Sequence, residues 1–129
     1  MATVTAVATE TTAIGADRLR RQARVLHVTF EDGESFELPF EYLRVHSPSA
    51  EVRGHGPGQE RLPLGKENVV VTGVEPVGHY AVRLNFDDGH NSGLYTWAYL
   101  RELGEEKATR WKAYLDRLEA AGYPRQTND

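Results

Sequence analysis

With 129 residues, 40% of them hydrophobic and 26% charged, the chain has the size and composition of one globular domain rather than a disordered or membrane-spanning protein. A net charge of −4 argues against nucleic acid, which requires a basic stripe to displace phosphate counterions. The absence of cysteine excludes disulfides, thiolate nucleophiles and cysteine-held zinc or iron–sulfur clusters on this chain.

Residues Met1 to about Gly15 are rich in Ala and Thr without a surviving period, and residues 1–22 are expected to form a weakly ordered tail ahead of a single domain over 23–126. This start lacks the charged head and continuous apolar core of a signal peptide. No apolar run approaches the roughly 18–20 residues that span a bilayer, so no membrane partner is expected and the cytoplasm is the expected compartment. The basic cluster Arg18, Arg20, Arg21 and Arg24 reads as a solvated segment.

From Ala23 to Phe30, Leu26, Val28 and Phe30 alternate with Val25, His27 and Thr29, the pattern of a half-buried strand. Glu31–Glu34 is a turn, Phe36 and Leu38 mark a second strand, Pro39 ends it, and Phe40–Arg44 predicts one helical turn. Val45–Lys66 carries four glycines and three prolines, so an irregular loop is expected. Val69–Val74 predicts another strand, Glu75–Gly78 a turn, and Tyr80, Val82, Leu84 and Phe86 a further antiparallel strand.

Asp88-Gly89 then makes a tight turn, because glycine accepts positive φ and the aspartate can bond its own backbone. Thr96 is placed to cap a short helix carrying Trp97, Leu100 and Leu103, closed by Gly104. Ala108, Trp111, Tyr114, Leu115, Leu118 and Ala121 form an apolar stripe on a final helix that ends at Gly122. The expected fold is α+β: an antiparallel sheet of about four or five strands, with a short helix and the amphipathic C-terminal helix packed over one face.

The halves echo each other. Phe30-Glu-Asp-Gly33 is followed by Tyr42-Leu43-Arg44, and Phe86-Asp-Asp-Gly89 by Tyr99-Leu100-Arg101. An internal duplication of a strand–turn–strand–helix unit would place Arg44 and Arg101 in equivalent positions.

The chemistry the residues can carry is limited. The five histidines are followed two residues on by Thr29, Pro48, Pro57, Ala81 and Ser92, so the His-X-carboxylate step common in non-haem iron sites is missing. No phosphate-binding Gly-rich loop or nucleophile elbow occurs. Ser47, Ser49 and Ser92 lie near histidines in sequence, but a nucleophile needs a base aligned in space. Asp88, His90 and His55 are the candidate ligands for iron or zinc, against the plainer roles of turn formation for Asp88 and a backbone bond for His90. Arg44, Arg53, His55, Asp87, Asp88, His90, Tyr95 and Trp97 make up a candidate binding surface. The arginines suit a ligand's carboxylate, against the plainer reading in which Arg44 pairs internally with Glu41 or Asp88, and either aromatic, if exposed, would suit a protein partner.

Leu43-Arg44, Ser47-Pro-Ser-Ala-Glu-Val-Arg-Gly-His55, Glu75-Pro-Val-Gly78, Tyr80-Ala-Val-Arg83 and Phe86-Asp-Asp-Gly-His-Asn-Ser-Gly-Leu-Tyr-Thr-Trp97 together resemble the gamma-butyrobetaine hydroxylase-like N-terminal domain family. That resemblance implies a mostly β accessory domain, found as small bacterial proteins of unsettled function, at the N-terminus of dioxygenases, and on plastid scaffold ATPases of iron–sulfur assembly. It implies no dioxygenase activity, because the catalytic domain is absent. In the dioxygenases the domain holds zinc through three cysteines and a histidine. By the resemblance those positions match Ser47, Ser49, Val52 and His90, so the zinc site is expected to be lost. The expected function is a non-enzymatic adaptor, with an iron–sulfur assembly factor or an iron enzyme as its protein partner. A metal- or small-ligand-binding protein is the alternative.

Overall fold

The computed structural model describes residues 24–49 and 62–125 in full, together with the strand backbone at Val4–Glu10, Ala13–Ile14 and Arg21–Gln22. In chain order these are strands β1 (Val4–Glu10), β2 (Ala13–Ile14), β3 (Arg21–Gln22), β4 (Val25–Phe30) and β5 (Ser35–Pro39), then helix α1 (Phe40–Val45). Strands β6 (Val71–Val77), β7 (Ala81–Phe86) and β8 (Leu94–Thr96) follow, then helices α2 (Trp97–Glu105) and α3 (Lys107–Ala120). The architecture is α+β. The strands divide into two three-stranded antiparallel sheets, β1-β4-β5 and β6-β7-β8, with β2-β3 as a separate ribbon, where the sequence predicts a single sheet.

The alternation in β4 and β7 builds the core. Leu26, Val28 and Leu84 are fully buried, Phe30, Val82 and Phe86 nearly so, and they meet Leu38, Phe40, Tyr42, Leu43, Tyr95, Leu100 and Leu103 in one cluster. Each such aliphatic side chain contributes roughly 1.5–3 kcal/mol on leaving water.

The two sheets are built to the same plan. Val25 pairs with Pro39 and Leu26 with Leu38 in the first, and Ala81 with Thr96 and Val82 with Tyr95 in the second. On the outer strands Val4 faces Phe30 and Val71 faces Phe86, and in both the register slips at the next step. The middle strands end in the same turn. Gly33 N–H donates to the Phe30 carbonyl at 3.0 Å and Phe30 N–H to Glu34 at 2.8 Å; Gly89 donates to Phe86 at 3.0 Å and Phe86 to His90 at 3.0 Å. Gly33 and Gly89 have φ of 90° and 89°, in the left-handed region that glycine alone enters freely. Helix entry matches too: Phe40 N–H donates to the Arg24 carbonyl and Trp97 N–H to that of Tyr80. The echo in the sequence is therefore a structural duplication, and Arg44 and Arg101 do occupy equivalent places. Arg44 Nε donates to Asp88 Oδ2 at 2.9 Å, and an Arg101 Nη donates to Asp32 Oδ2 at 3.0 Å. Each half thus grips the turn of the other.

Several local expectations change. Val4–Glu10, read as part of a weakly held tail, pairs along β4. Strand β6 runs through Pro76 to Val77, with the turn moved to Gly78–Tyr80. Proline is tolerated there because β6 is an edge strand. Gly104 lies inside α2 rather than closing it. A Cβ there would stand 2.5 Å from Phe36 Cγ, so the glycine makes room for that ring. The α3 stripe reaches the main core through Trp111, while Tyr114 and Leu118 pack with Val45, Leu62, Trp111, Leu115 and Tyr123 in a second cluster beside α1. The expected caps hold. Thr96 Oγ1 accepts from Tyr99 N–H at 3.0 Å. Gly122 (φ 73°) ends α3, with Tyr123 N–H on the Leu118 carbonyl and Gly122 N–H on that of Glu119. Most of the expected Val45–Lys66 loop, residues 50–61, lies outside the described residues.

Candidate functional site

The Phe86–His90 turn gathers four of the eight candidate residues, Arg44, Asp87, Asp88 and His90, and the structure gives each a partner. Asp88 Oδ1 accepts from its neighbour His90 N–H at 3.1 Å, the self-bonding turn expected of aspartate. Its other oxygen takes Arg44 Nε and, at 2.7 Å, Lys66 Nζ. Burial pushes the Asp88 carboxyl up, but the Lys66 ammonium, the His90 N–H and Arg44 outweigh it and hold the pKa at about 2. Asp87, exposed on the turn, accepts from Val70 N–H at 3.0 Å while its own N–H donates to the Val70 carbonyl. It fixes the approach to β6.

Behind the turn lies a buried polar cluster. His90 is 8% exposed and its Nε2 shares a 2.9 Å hydrogen bond with Oγ of Ser47, which is fully buried. Ser47 Oγ also accepts from Ser49 N–H at 3.3 Å, and Ser49 Oγ bonds Ser92 Oγ at 2.9 Å. Gly93 is required beside them, because a Cβ there would collide with Ser47 Oγ and come within 3.2 Å of Pro48 Cδ.

The duplication supplies a counterpart to this junction. By register and by distance from each Tyr-Leu-Arg run, Ser47 corresponds to Gly104, and Gly93 to Phe36. In the other half, therefore, a phenyl ring fills the place over a glycine. Phe36 packs edge-on to Phe30, and the Arg101 guanidinium lies 5.1 and 5.6 Å from the two ring centres. One junction is apolar. Its twin is a network of hydroxyls and an imidazole.

Ser47 and His90 are spaced as a nucleophile and its base would be, yet a fully buried Ser47 offers no substrate a path to its oxygen. The set does not fit zinc either. Two neutral hydroxyls are poor ligands at neutral pH, and His90 Nε2, the nitrogen facing them, is taken by Ser47. No group of three or more His, Cys, Asp or Glu side chains able to hold a metal occurs among the described residues. His55, proposed as a ligand with Asp88 and His90, lies outside those residues, as do Arg53 and Val52.

Of the aromatics, Tyr95 is fully buried with its hydroxyl on the Leu43 carbonyl at 2.6 Å, so it cannot touch a partner. Trp97 is half-buried and donates Nε1–H to the His79 carbonyl at 2.8 Å. Beside it stands Tyr80, 55% exposed. Strand alternation assigned Tyr80 to the core, and the signal that places it outside is the Gly78-His79 turn immediately before it. Lys66 was also missed, since only the fold brings it to the turn. On the outer face of the second sheet, Glu75, Arg83, Asn85, Asn91, Ser92 and Leu94 line an open groove of about 450 Å³.

Comparison with known proteins gives a consistent picture. The profile of the family described as gamma-butyrobetaine hydroxylase-like, N-terminal, matches residues 17–101. A solution NMR structure is similar at 41% identity and a TM-score of 0.75, covering 98% of this chain and 87% of the other. A second NMR structure, 46% identical with a TM-score of 0.68, covers 94% and 92%. A crystal structure from Acidithiobacillus ferrooxidans, described as a protein of unknown function of the DUF971 family, is 42% identical. It has a TM-score of 0.53 and covers 74% of this chain and 89% of its own. No curated protein matches.

Proposed function

The chain belongs to the gamma-butyrobetaine hydroxylase-like N-terminal family, and from that premise we propose that it is a non-enzymatic accessory domain acting through protein contacts. The observation that carries this reading is an inequality between equivalent aromatics. Phe40, at the entry to α1, is fully buried, whereas Trp97, at the same place in the second half, is left half-open beside exposed Tyr80. Large aromatics of this kind are the usual anchors of protein interfaces. The buried Ser47–His90 pair supports the same view, since it braces a turn and has no route to a substrate. The partner class is an iron–sulfur assembly factor or an iron enzyme. No helix among the described residues is long and apolar enough to cross a membrane, and the setting proposed is the cytoplasm.

Calorimetric titration of the purified chain against an iron–sulfur scaffold protein and an iron-dependent oxygenase tests the proposal. Saturable binding to one of them is expected, weakened roughly tenfold or more by Tyr80→Ala. Binding to neither, or substrate turnover by the chain alone that disappears in His90→Ala, would overturn it.

A further inference from the structure

We propose that the junction between the two halves is a self-complementary surface whose alternative partner is a second copy of this chain, the halves exchanging between two molecules. The argument rests on reciprocity. In an isologous interface residue i of one member meets residue j of the other, and j meets i. Here Arg44 of the first unit meets Asp88 of the second, and Arg101 of the second meets Asp32 of the first. Likewise the Tyr42 hydroxyl donates to the Leu103 carbonyl and the Tyr99 hydroxyl to that of His46, both at 2.6 Å. Tyr and Arg occupy matching steps in each helix, and so do the two accepting carbonyls. This is the contact pattern of a symmetric dimer written into one chain.

Further cross-unit bonds follow the same division. Lys107 Nζ donates to the Glu37 carbonyl at 3.0 Å, Tyr95 to Leu43, and Ser47 bonds His90. All of them can be remade with the corresponding half of a neighbour, because every donor and acceptor pair has one member in each unit. About 25 residues join Val45 to Val71, an extended reach of up to roughly 80 Å. The covalent link therefore permits either arrangement, and exchange of identical elements is a low-cost route to a dimer.

Charge reversal makes the exchange readable. Arg44→Asp sets two carboxylates against each other, the introduced one and that of Asp88. Asp88→Arg sets two guanidiniums together, the introduced one and that of Arg44. Lys66 offsets part of the repulsion in the first variant and adds to it in the second, and neither variant regains an Arg–Asp pair alone. If the halves exchange between them, one junction pairs the two introduced side chains, with the signs reversed, and the other is the native Arg44–Asp88 pair. Both are then satisfied. Arg101→Asp with Asp32→Arg forms a second complementary pair at a more exposed site, where each variant is expected to fold alone. Each pair is unfolded, mixed and refolded together at high concentration, with one member carrying a mass tag, and read by native mass spectrometry and thermal melting. The expected result is a heterodimer of one tagged and one untagged chain, with a melting temperature above that of either variant refolded alone. A mixture in which both pairs refold only to the separate monomers, each with its own melting temperature, overturns the proposal.

Discussion

Tyr42 and Tyr99 trade partners across the molecule, each hydroxyl capping a carbonyl at the C-terminal end of the other's helix, Leu103 in α2 and His46 after α1. Carbonyls in a helix's last turn have no partner within the helix, so each half completes the other. Tyr42 is fully buried, and burial raises its pKa well above that of an ordinary phenol, keeping the hydroxyl a donor. Tyr42→Phe is expected to cost about 1–3 kcal/mol, since the Leu103 carbonyl stays buried and unmet. Tyr99→Phe should cost less, because Tyr99 is only half-buried. Urea denaturation of the two variants measures the order.

The two Arg–Asp grips differ in setting. Arg44 and Asp88 have side chains 11% and 24% exposed, whereas Arg101 and Asp32 stand at 24% and 55%. Asp88→Asn should cost about 1.5–3 kcal/mol, the range for hydrogen bonds to charged groups. Asp32→Asn should cost distinctly less, because solvent screens an exposed pair. Equal losses in denaturant midpoint would contradict this reading of the two junctions.

Acid should act through the same residue. The Asp88 carboxyl sits at about 2 in the folded chain against 3.8 for the ordinary group. Its contribution is fully present above about pH 4 and is lost as pH falls through about 2. The slope of stability between those values should be shallower in Asp88→Asn than in the parent, measured by denaturant titration at successive pH values.

Gly104 tests the packing of the apolar junction. In an open helix alanine would be favoured over glycine by roughly 1 kcal/mol. Here its methyl would meet the base of the Phe36 ring, 2.5 Å from Cγ, so Gly104→Ala should destabilise by about 1–3 kcal/mol. Adding Phe36→Leu should recover part of that loss, a non-additivity readable in a double-mutant cycle.

Arg125 closes the second cluster. It forms a two-pronged pair with the buried Glu41 carboxylate, with Nε at 2.8 Å and Nη2 at 2.5 Å, and lies over Trp111. Tyr114 donates to the same carboxylate at 2.8 Å. Removing the cation leaves a buried charge with only a neutral donor, a loss of about 3–5 kcal/mol where pairs are fully buried and less for an arginine 28% exposed. Arg125→Ala should therefore be less stable than the double variant Arg125→Ala with Glu41→Gln, as thermal melts would show.

Much of the fold was legible because local signals agreed with the tertiary outcome. The alternation of Leu26, Val28 and Phe30, the Asp-Gly turns and the Thr96 cap each depend on neighbours a few residues away. The repeated Phe-x-Asp-Gly and Tyr-Leu-Arg runs even foretold that Arg44 and Arg101 would match. What was hidden depends on distant partners. Val4–Glu10 carries only small side chains before its final glutamate and becomes a strand through pairing with β4. Gly104 resembles a helix end until Phe36 arrives from the other half. At the site, Asp88 as a turn former was readable. Its pairing with Arg44 was one of two that the charges allowed, and the meeting of Ser47 with His90 was implied only by the family resemblance; the arrival of Lys66 was not legible, because it joins segments far apart in sequence.

The matched turns at Gly33 and Gly89 have a practical corollary for anyone engineering this scaffold. Almost any substitution made in one sheet has an untouched twin in the same polypeptide, under the same buffer and temperature. Comparing a change with its mirror change cancels expression level, chain length and solvent alike. What survives is the difference in role between two seats that began with one design.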